Sequence, residues 1–590
     1  MASSQFLLAY AFDQELPPSA DEFAIRLDSA HEHVTRLAPA ELDMVHVGDR
    51  RSGFVVWLHP NRHLTWPSAV RRGAEGAAWL HVPAAAGGRD SGVDAFALAR
   101  DVTRGVVDRA EMGAPCAAVY WDAEGLRIAN DRLGMVRLFE FAVPGLGHLW
   151  SSRPGLAHVF GGMAPDVLQS AWSDMATFGW SATGRTLLGD GKQMRASVTC
   201  ASDAAGKVSR STDLSHWIRS SIEGGGPEGS AAAEGMIRAA RTASWWESLP
   251  VADLSGGKDS RVTAAAAIRA GVVDTVRTVN TDPGEVTTAK ELMRHGVEGV
   301  EHRVDEVSPV VSPEDGGALG RYASLHRAWE GSYNATSAYR AKGFQGFKPE
   351  RAPRINGLGG EAIQGRTLIG ASVRERLNGK GPEAGRDQLL KLAGVRARAV
   401  TGSAQDDSRA VVESFFADAV SLGHDDAFMV LDHFYHFSKM PYWSHPQATG
   451  STLLPLYSPQ LLPRTMYSMK NVEPYGDVHR HLLRFLIPEW ADIPFYKGTS
   501  QTRTAPKMWE NPDWREISET IRDGVAALGS FDSEVVHAMI DEAEQGAATA
   551  VHETTLTRVI WEISFREYVK EIATASSRTA DRVERLRARN

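Results

Sequence analysis

The stretch Ser255-Gly256-Gly257-Lys258-Asp259-Ser260 constrains this chain more than any other segment. An apolar run, Val251 to Leu254, precedes it, and the alanine-rich stretch Val262 to Ala270 follows. That order predicts a strand, a glycine turn and a helix. The first amides of such a helix have no partner within it, and with the helix dipole they favour an anion in the turn. Two adjacent glycines let the main chain come close to a phosphate. Ser255 and Ser260 add hydroxyl donors, and the Asp259 carboxylate suits a hard cation.

A chain of 590 residues is too long for one ordinary core, so two or more domains are expected. Apolar residues make up 43% and charged residues 23%, as in an ordinary globular protein, and no apolar run reaches membrane-spanning length. The start of the chain lacks a basic segment ahead of its apolar residues, so a signal peptide is not expected. Two cysteines, Cys116 and Cys200, argue against a disulfide framework or a thiolate metal site, which leaves a reducing cytoplasm as the expected compartment. A net charge of −9 speaks against nucleic acid as the main partner. The Arg-rich end, Arg578 to Arg589, reads as a solvated helix end.

The first ~210 residues read mainly as strands and short loops. Phe6 to Phe12 and Phe54 to Leu58 are strand candidates, and Cys116 to Asp122 with Gly125 to Ala129 forms a hairpin. Asn130 to Gly134 then turns into Val136 to Phe141, and Ser220 to Ser230 reads as a Gly/Ser linker. Beyond it, helix is expected from Ala231 to Trp246 and Val286 to His295, and strand at Thr275 to Thr281 and Glu301 to Val304. Alternating β and α elements after residue 250 predict a parallel sheet that binds its ligand at the carboxyl ends of the strands. Pro382 to Ser408, polar and helix-prone, reads as an insertion or mobile segment.

Two further segments bear on the site. Arg354 to Gly365 is a strand followed by a glycine-rich turn, with glycines at 357, 359 and 360, and Glu361 offers a second acidic ligand for Mg²⁺ held with a triphosphate. In Tyr496-Lys497-Gly498, the Lys497 ammonium suits neutralisation of a leaving pyrophosphate. His433 and His436, three apart on a predicted helix, are either a base and peptide contacts or one face of an aromatic packing stripe. Tyr442, Trp443 and Trp329 have the same two readings, peptide pocket or core.

The turn at Ser255 differs from the Walker loop in glycine spacing and lysine position. It resembles the pyrophosphate loop, SGGxDS, of enzymes that use ATP to make an AMP ester, with all five specified positions matched. With the remaining segments, the chain resembles the asparagine synthetase-type amide-forming superfamily over most of its length. Trp121-Asp122 through Asp131-Arg132-Leu133-Gly134, then Leu149 to Arg153 and Leu156, resembles that family's hairpin and following strand, and Gly184 to Leu187 its next element. Leu454 to Pro459 matches a "vPfld" segment loosely, with Ser458 in place of the aspartate. The resemblance implies a mixed α/β and α+β fold. Residues 1–215 would be a degenerate Ntn-type, glutaminase-like αββα domain, and 216–590 a pyrophosphate-loop α/β synthetase domain with a parallel sheet and helical additions. It also implies ATP and Mg²⁺ as cofactors. Ser255, Gly256, Gly257, Lys258, Asp259 and Ser260 would hold phosphates, and Asp259 and Glu361 the metal. Backbone at Leu254, Val279 and Gly357 would contact adenine and ribose, and Lys497 would have a catalytic role.

One departure directs the functional expectation. Glutaminases of the family begin with a nucleophilic cysteine, whereas this chain has Ala2 and Ser3 there, and Cys116 and Cys200 fall in predicted strands. Branches without that cysteine use an amine already in the substrate and close a ring, as in β-lactam synthetases and lasso-peptide macrolactam synthetases. Leu358 stands where β-lactam-forming relatives carry a tyrosine and asparagine synthetases a glutamate. Leucine supplies no base, which a peptide α-amine with a pKa of about 8 tolerates best. The expectation is a lasso-type cyclase that joins an Asp or Glu side chain of a linear core peptide to its N-terminus. A leader peptidase and a leader-binding protein would be its partners. Competing readings are a β-lactam synthetase-like or ammonia-dependent small-molecule amide ligase, a non-catalytic peptide-binding scaffold, and an RNA-modifying enzyme.

Overall fold

The computed structural model describes residues 5–13, 17–37, 42–58, 68–73, 75–81, 95–106, 116–224, 229–245, 249–280, 282–306, 317–331, 335, 354–360, 371–395, 398–442, 452–453, 455–457, 477–496 and 507–589. Its N-terminal part is built from two antiparallel sheets, one of seven strands and one of six. The strand Gln5–Phe12 explains why they stack. Phe6, Leu8, Tyr10 and Phe12 point to one side, against helices Ala20–Leu37 and Pro154–Gly161, while Leu7, Ala9 and Ala11 point to the other, against Val119, Leu126 and Ile128 of the second sheet. Side chains alternate along a strand, so a run that is apolar on every residue must be covered on both faces. The outer face of the second sheet carries Ala118 and Tyr120 against the helix Ala95–Thr103. The layers are therefore helix, sheet, sheet, helix.

The expected hairpin pairs Ala117–Asp122 with Gly125–Asn130. The turn after it is built around the fully buried Asp131. Its carboxylate accepts hydrogen bonds from the amides of Cys116, Leu133, Met135 and Val136 at 2.8–3.2 Å. Burial pushes its pKa up, and the four amides pull against that shift.

The second half contains a five-stranded, wholly parallel sheet in the order Glu301–Glu306, Thr275–Asn280, Val251–Asp253, Arg354–Ile355, Thr452–Leu453. By chain order within this half the strands run 3-2-1-4-5, so the winding reverses between the Val251 and Arg354 strands. Helices Gly229–Arg241, Asp259–Ala270 and Asp477–Leu486 cover it, packing Met236, Val262, Ala266, Leu483 and Trp490 into one core. The supposed linker begins as helix, since Leu214–Gly224 runs into it.

A third, helical region joins the two. Trp172 and Met175 of Gln169–Phe178 pack among Trp329, Ile517, Ile560, Trp561 and Phe565, so apolar packing continues across residue 215. Pro382 to Ser408, expected to be an insertion or mobile segment, instead supplies helix Pro382–Val395 and the start of Gly402–Ser421. Leu389 and Ala393 are buried there with Phe428, Leu431 and Phe434. Ala399, Val400 and Ala404 pack instead with Trp561, and the charged residues between these groups hid both from a reading of composition. The last helix, Ala550–Arg587, has 38 residues and a length of ~57 Å. Its basic end is a largely solvated helix end, as the sequence suggested, with Arg578, Arg585, Arg587 and Arg589 exposed. Arg587 pairs with the buried Glu22 at 2.9 Å, and Arg582 donates to Ser29 Oγ at 3.2 Å, both on the helix Ala20–Leu37. Among the described residues no helix is long and apolar enough to cross a membrane.

Candidate functional site

Both glycine turns leave the carboxyl ends of the strands that flank the winding reversal, the position where open parallel sheets leave a crevice. They touch. A Cβ added at Gly357 would lie 2.5 Å from the Ser260 amide nitrogen. One at Gly360 would lie 1.9 Å from Asp259 Cγ and 2.2 Å from each carboxylate oxygen. Side chains at these positions would displace the head of the helix Asp259–Ala270, so glycine is required by close approach. Gly359, at φ +98°, also needs glycine for its backbone conformation.

Within the first turn, Ser255 and Ser260 close the loop on itself. Their hydroxyl oxygens are 2.8 Å apart, the Ser255 amide donates to Ser260 Oγ at 3.1 Å, and the Gly257 amide donates to Ser255 Oγ at 3.1 Å. Lys258 occupies the N-cap position and makes no side-chain capping bond. It is only 5% exposed, unusual for a lysine.

Three residues to which the sequence reading gave no role hold this loop. His479, fully buried on the helix Asp477–Leu486, sets its Nε2 2.6 Å from Asp259 Oδ1. Burial lowers its pKa, and the Lys258 charge adds to that effect while Asp259 opposes it. The neutral ring therefore donates Nε2–H to the carboxylate. Arg261, with no exposed surface, donates to the carbonyls of Gly256 (3.1 Å) and Ile493 (2.6 Å) and lies 4.6 Å from the Phe495 ring centroid. Burial and the neighbouring Arg480 bring its pKa down to about 10, so it keeps its charge at neutral pH. Tyr496 donates its amide to the Gly256 carbonyl at 2.9 Å and its hydroxyl to Asp282 at 2.9 Å. Its ring fills the space beside Gly284, where a Cβ would meet it at 2.4 Å. The signal for His479 was present: it precedes Leu482, Leu483 and Leu486 on one apolar stripe, a polar residue where only packing was expected.

Leu254 is buried and its backbone is occupied, donating to Arg277 O at 2.8 Å and accepting from Thr278 Oγ1 at 2.7 Å. Val279 lies on the neighbouring strand, opposite Asp305 and 37% exposed. Glu361 and Lys497 lie outside the described residues. Each directly follows a residue in contact with the loop, Gly360 at the Asp259 carboxylate and Tyr496 at Gly256. Among the described residues no three His, Cys, Asp or Glu side chains group to hold a metal ion, which leaves Asp259 as the one predicted metal ligand found there. The close glycine backbone, the hydroxyls and one oriented carboxylate fit a phosphate ligand carrying a hard cation.

Ala2, Ser3, Trp443, Leu454 and Ser458 lie outside the described residues. Cys116 and Cys200 are buried, and burial pushes the Cys200 thiol up to about 12, the reverse of an activated nucleophile. Leu358 packs in an apolar cluster with Leu133, Met135, Trp217 and Tyr435, joining the second glycine turn to the four-layer part. His433 and His436 differ. His433 bonds Asp418 at 3.2 Å, whereas His436 is fully buried, and its ring nitrogens have no hydrogen-bond partner among the described residues. Burial holds His436 down to about 3, so it is a neutral packing residue. Trp329 and Tyr442 are both 4% exposed; Trp329 packs in the helical core, and Tyr442 also lines a cavity. No protein-family model matches the chain, and no curated protein is similar to it.

Proposed function

We propose that this chain is an ATP-dependent, AMP-forming carbon–nitrogen ligase of the asparagine synthetase-like kind, working in the cytoplasm as a lasso-type macrolactam synthetase. The meeting of two glycine turns over Asp259, at a reversal of strand winding, carries this reading. The Ser255–Ser260 loop holds the β- and γ-phosphates of ATP. The side-chain carboxylate of an Asp or Glu in a linear core peptide attacks the α-phosphorus, which releases pyrophosphate and leaves an acyl-adenylate. The peptide's own N-terminal amine then attacks the acyl carbon, AMP departs, and the amine gives up a proton. Bound Mg²⁺ supplies neutralising charge for the pyrophosphate, and Asp259 with Glu361 would hold it.

The chain's own groups provide position and shielding. Arg261, His479 and Tyr496 fix the loop from behind, so its donors need no reorganisation when phosphate enters. Leu358 supplies no base in the second glycine turn, which suits an amine that is already largely neutral. A leader peptidase and a leader-binding protein would prepare the peptide.

The test is direct. Purified chain, ATP, Mg²⁺ and the linear core peptide encoded beside its gene should give AMP, pyrophosphate and a product lighter by one water, all lost in Asp259→Ala. AMP formation that is absent, or that persists in Asp259→Ala, overturns the reading.

A further inference from the structure

A cavity of about 560 Å³, its open mouth included, lies where the four-layer part meets the helical region. Leu133, Phe415, Phe437 and Tyr442 form apolar walls, and two charges, Asp418 and Arg195, stand in the lining. Phe437 belongs to the turn Tyr435–Lys439, which is wound as a π-helix. Such widened turns are frequent at functional sites. Here the turn sends two consecutive side chains, Phe437 and Ser438, to the cavity, and Ser438 is held by a hydrogen bond from Trp180 Nε1 at 2.9 Å.

The two charges are not equivalent. Asp418 is built in: His433 Nε2 lies 3.2 Å from its Oδ2, and His433 Nδ1 lies 3.3 Å from His424 Nε2 behind it. Asp418 Oδ1 has no hydrogen-bond partner among the described residues, and 45% of the side chain is exposed. The His433 bond, foremost, and the Arg195 charge hold this carboxyl below its ordinary pKa. Arg195 is a solvent-exposed side chain at the rim. A fixed carboxylate among aromatic rings selects a cation with an apolar body, because ring faces and carboxylate both attract positive charge.

We infer that this cavity binds a primary ammonium on Asp418 with an aromatic or large aliphatic side chain beside it, and that the N-terminal residue of the peptide substrate is its occupant. The ammonium rests on geometry alone; the identity of the occupant rests on the proposed ligase reading. Leu133 and Phe437, which line the cavity, pack in the same cluster as Leu358 of the second glycine turn. One apolar layer therefore links the amine pocket to the turn that touches Asp259.

The experiment uses the full chain without ATP and three probes: L-phenylalaninamide, N-acetyl-L-phenylalaninamide and N-acetyl-L-phenylalanine. Calorimetric titration should show saturable binding of the first and at least about tenfold weaker binding of the two acetylated probes. Asp418→Asn should weaken the first by at least about tenfold with unchanged thermal unfolding. Equal binding of the acetylated amide, preference for the free carboxylate, or no binding to the wild-type chain overturns the assignment. AMP formation without amine binding removes this pocket and leaves the ligase. Amine binding without AMP formation keeps the ammonium site and removes both the ligase and the peptide as occupant.

Discussion

His479 Nε2 stands 2.6 Å from Asp259 Oδ1, which joins a buried helix to the first residue of the loop helix 220 positions earlier in the chain. The bond fixes one carboxylate oxygen and so decides which way the other faces.

Removing that support should weaken the site without erasing it. A hydrogen bond to a charged group is worth ~1.5–3 kcal/mol, or roughly ten- to a hundredfold. His479→Ala is expected to lower pyrophosphate exchange by that factor and to raise the Mg²⁺ needed for half-maximal rate. His479→Gln, which keeps an N–H donor, should recover part of both. Exchange rates measured across a Mg²⁺ series check this, and an unchanged Mg²⁺ requirement in His479→Ala would count against it.

The contact between the glycine turns makes a sharper prediction. In Gly360→Ala the new Cβ overlaps the Asp259 carboxylate, so AMP formation should fall by at least about a hundredfold. Gly402→Ala, where a Cβ meets nothing within 4 Å, should leave the rate unchanged. Assay of both variants beside their circular dichroism separates a local effect from unfolding.

Glu330 ties the parts of the molecule together. It is 3% exposed, takes a positive φ of 46°, and accepts from the Gly155 amide at 2.9 Å and the Tyr568 hydroxyl at 2.8 Å, with His33 at 3.8 Å. The neighbouring His33 and the Arg153 charge outweigh burial and hold its carboxyl below the ordinary range. Glu330→Ala leaves Arg153 buried without its counter-charge, a change that costs ~3–5 kcal/mol. The urea midpoint should drop accordingly, and a midpoint within error of wild type would refute the assignment.

Acid and base act on different groups. Burial brings His326, His424 and His436 down to about 3 and pushes Asp174 and Glu562 up to about 7. The unfolded histidines bind protons near pH ~6.5, so their contribution to stability is lost as pH falls below that value. The two acids stay protonated in the folded state up to about 7, so their contribution is lost as pH rises from about 4 through 7. From about pH 6 to 5 the three histidines exceed the two acids by one proton, and acidification costs roughly 1 kcal/mol per pH unit, a dependence that fades as the folded histidines bind protons at about pH 3. Asp174→Asn removes one buried charge and should be more stable than wild type at about pH 8, with that advantage shrinking at about pH 5. Urea unfolding at both values reads the difference.

Much of the architecture was legible before any coordinates. Phe6 to Phe12 is apolar at every position, which demands a strand covered on both faces, and the hairpin at Gly125 and the turn at Ser255 follow from glycine placement. Pro382 to Ser408 misled because its buried residues are diluted by charge, and periodicity there is weaker than composition. The pairing of Arg587 with Glu22 was not legible, because the two lie more than 500 residues apart in sequence.

The sequence by itself determined that a strand, a glycine turn and a helix would present an anion-binding loop, because those preferences act over neighbouring residues. Only the tertiary structure decided what surrounds that loop. His479, Arg261 and Tyr496 reach it, Gly360 lies against Asp259, and an open cavity forms beside Phe437. Those contacts join segments that no local rule relates, and they depend on how helices and sheets pack once each has buried its apolar face.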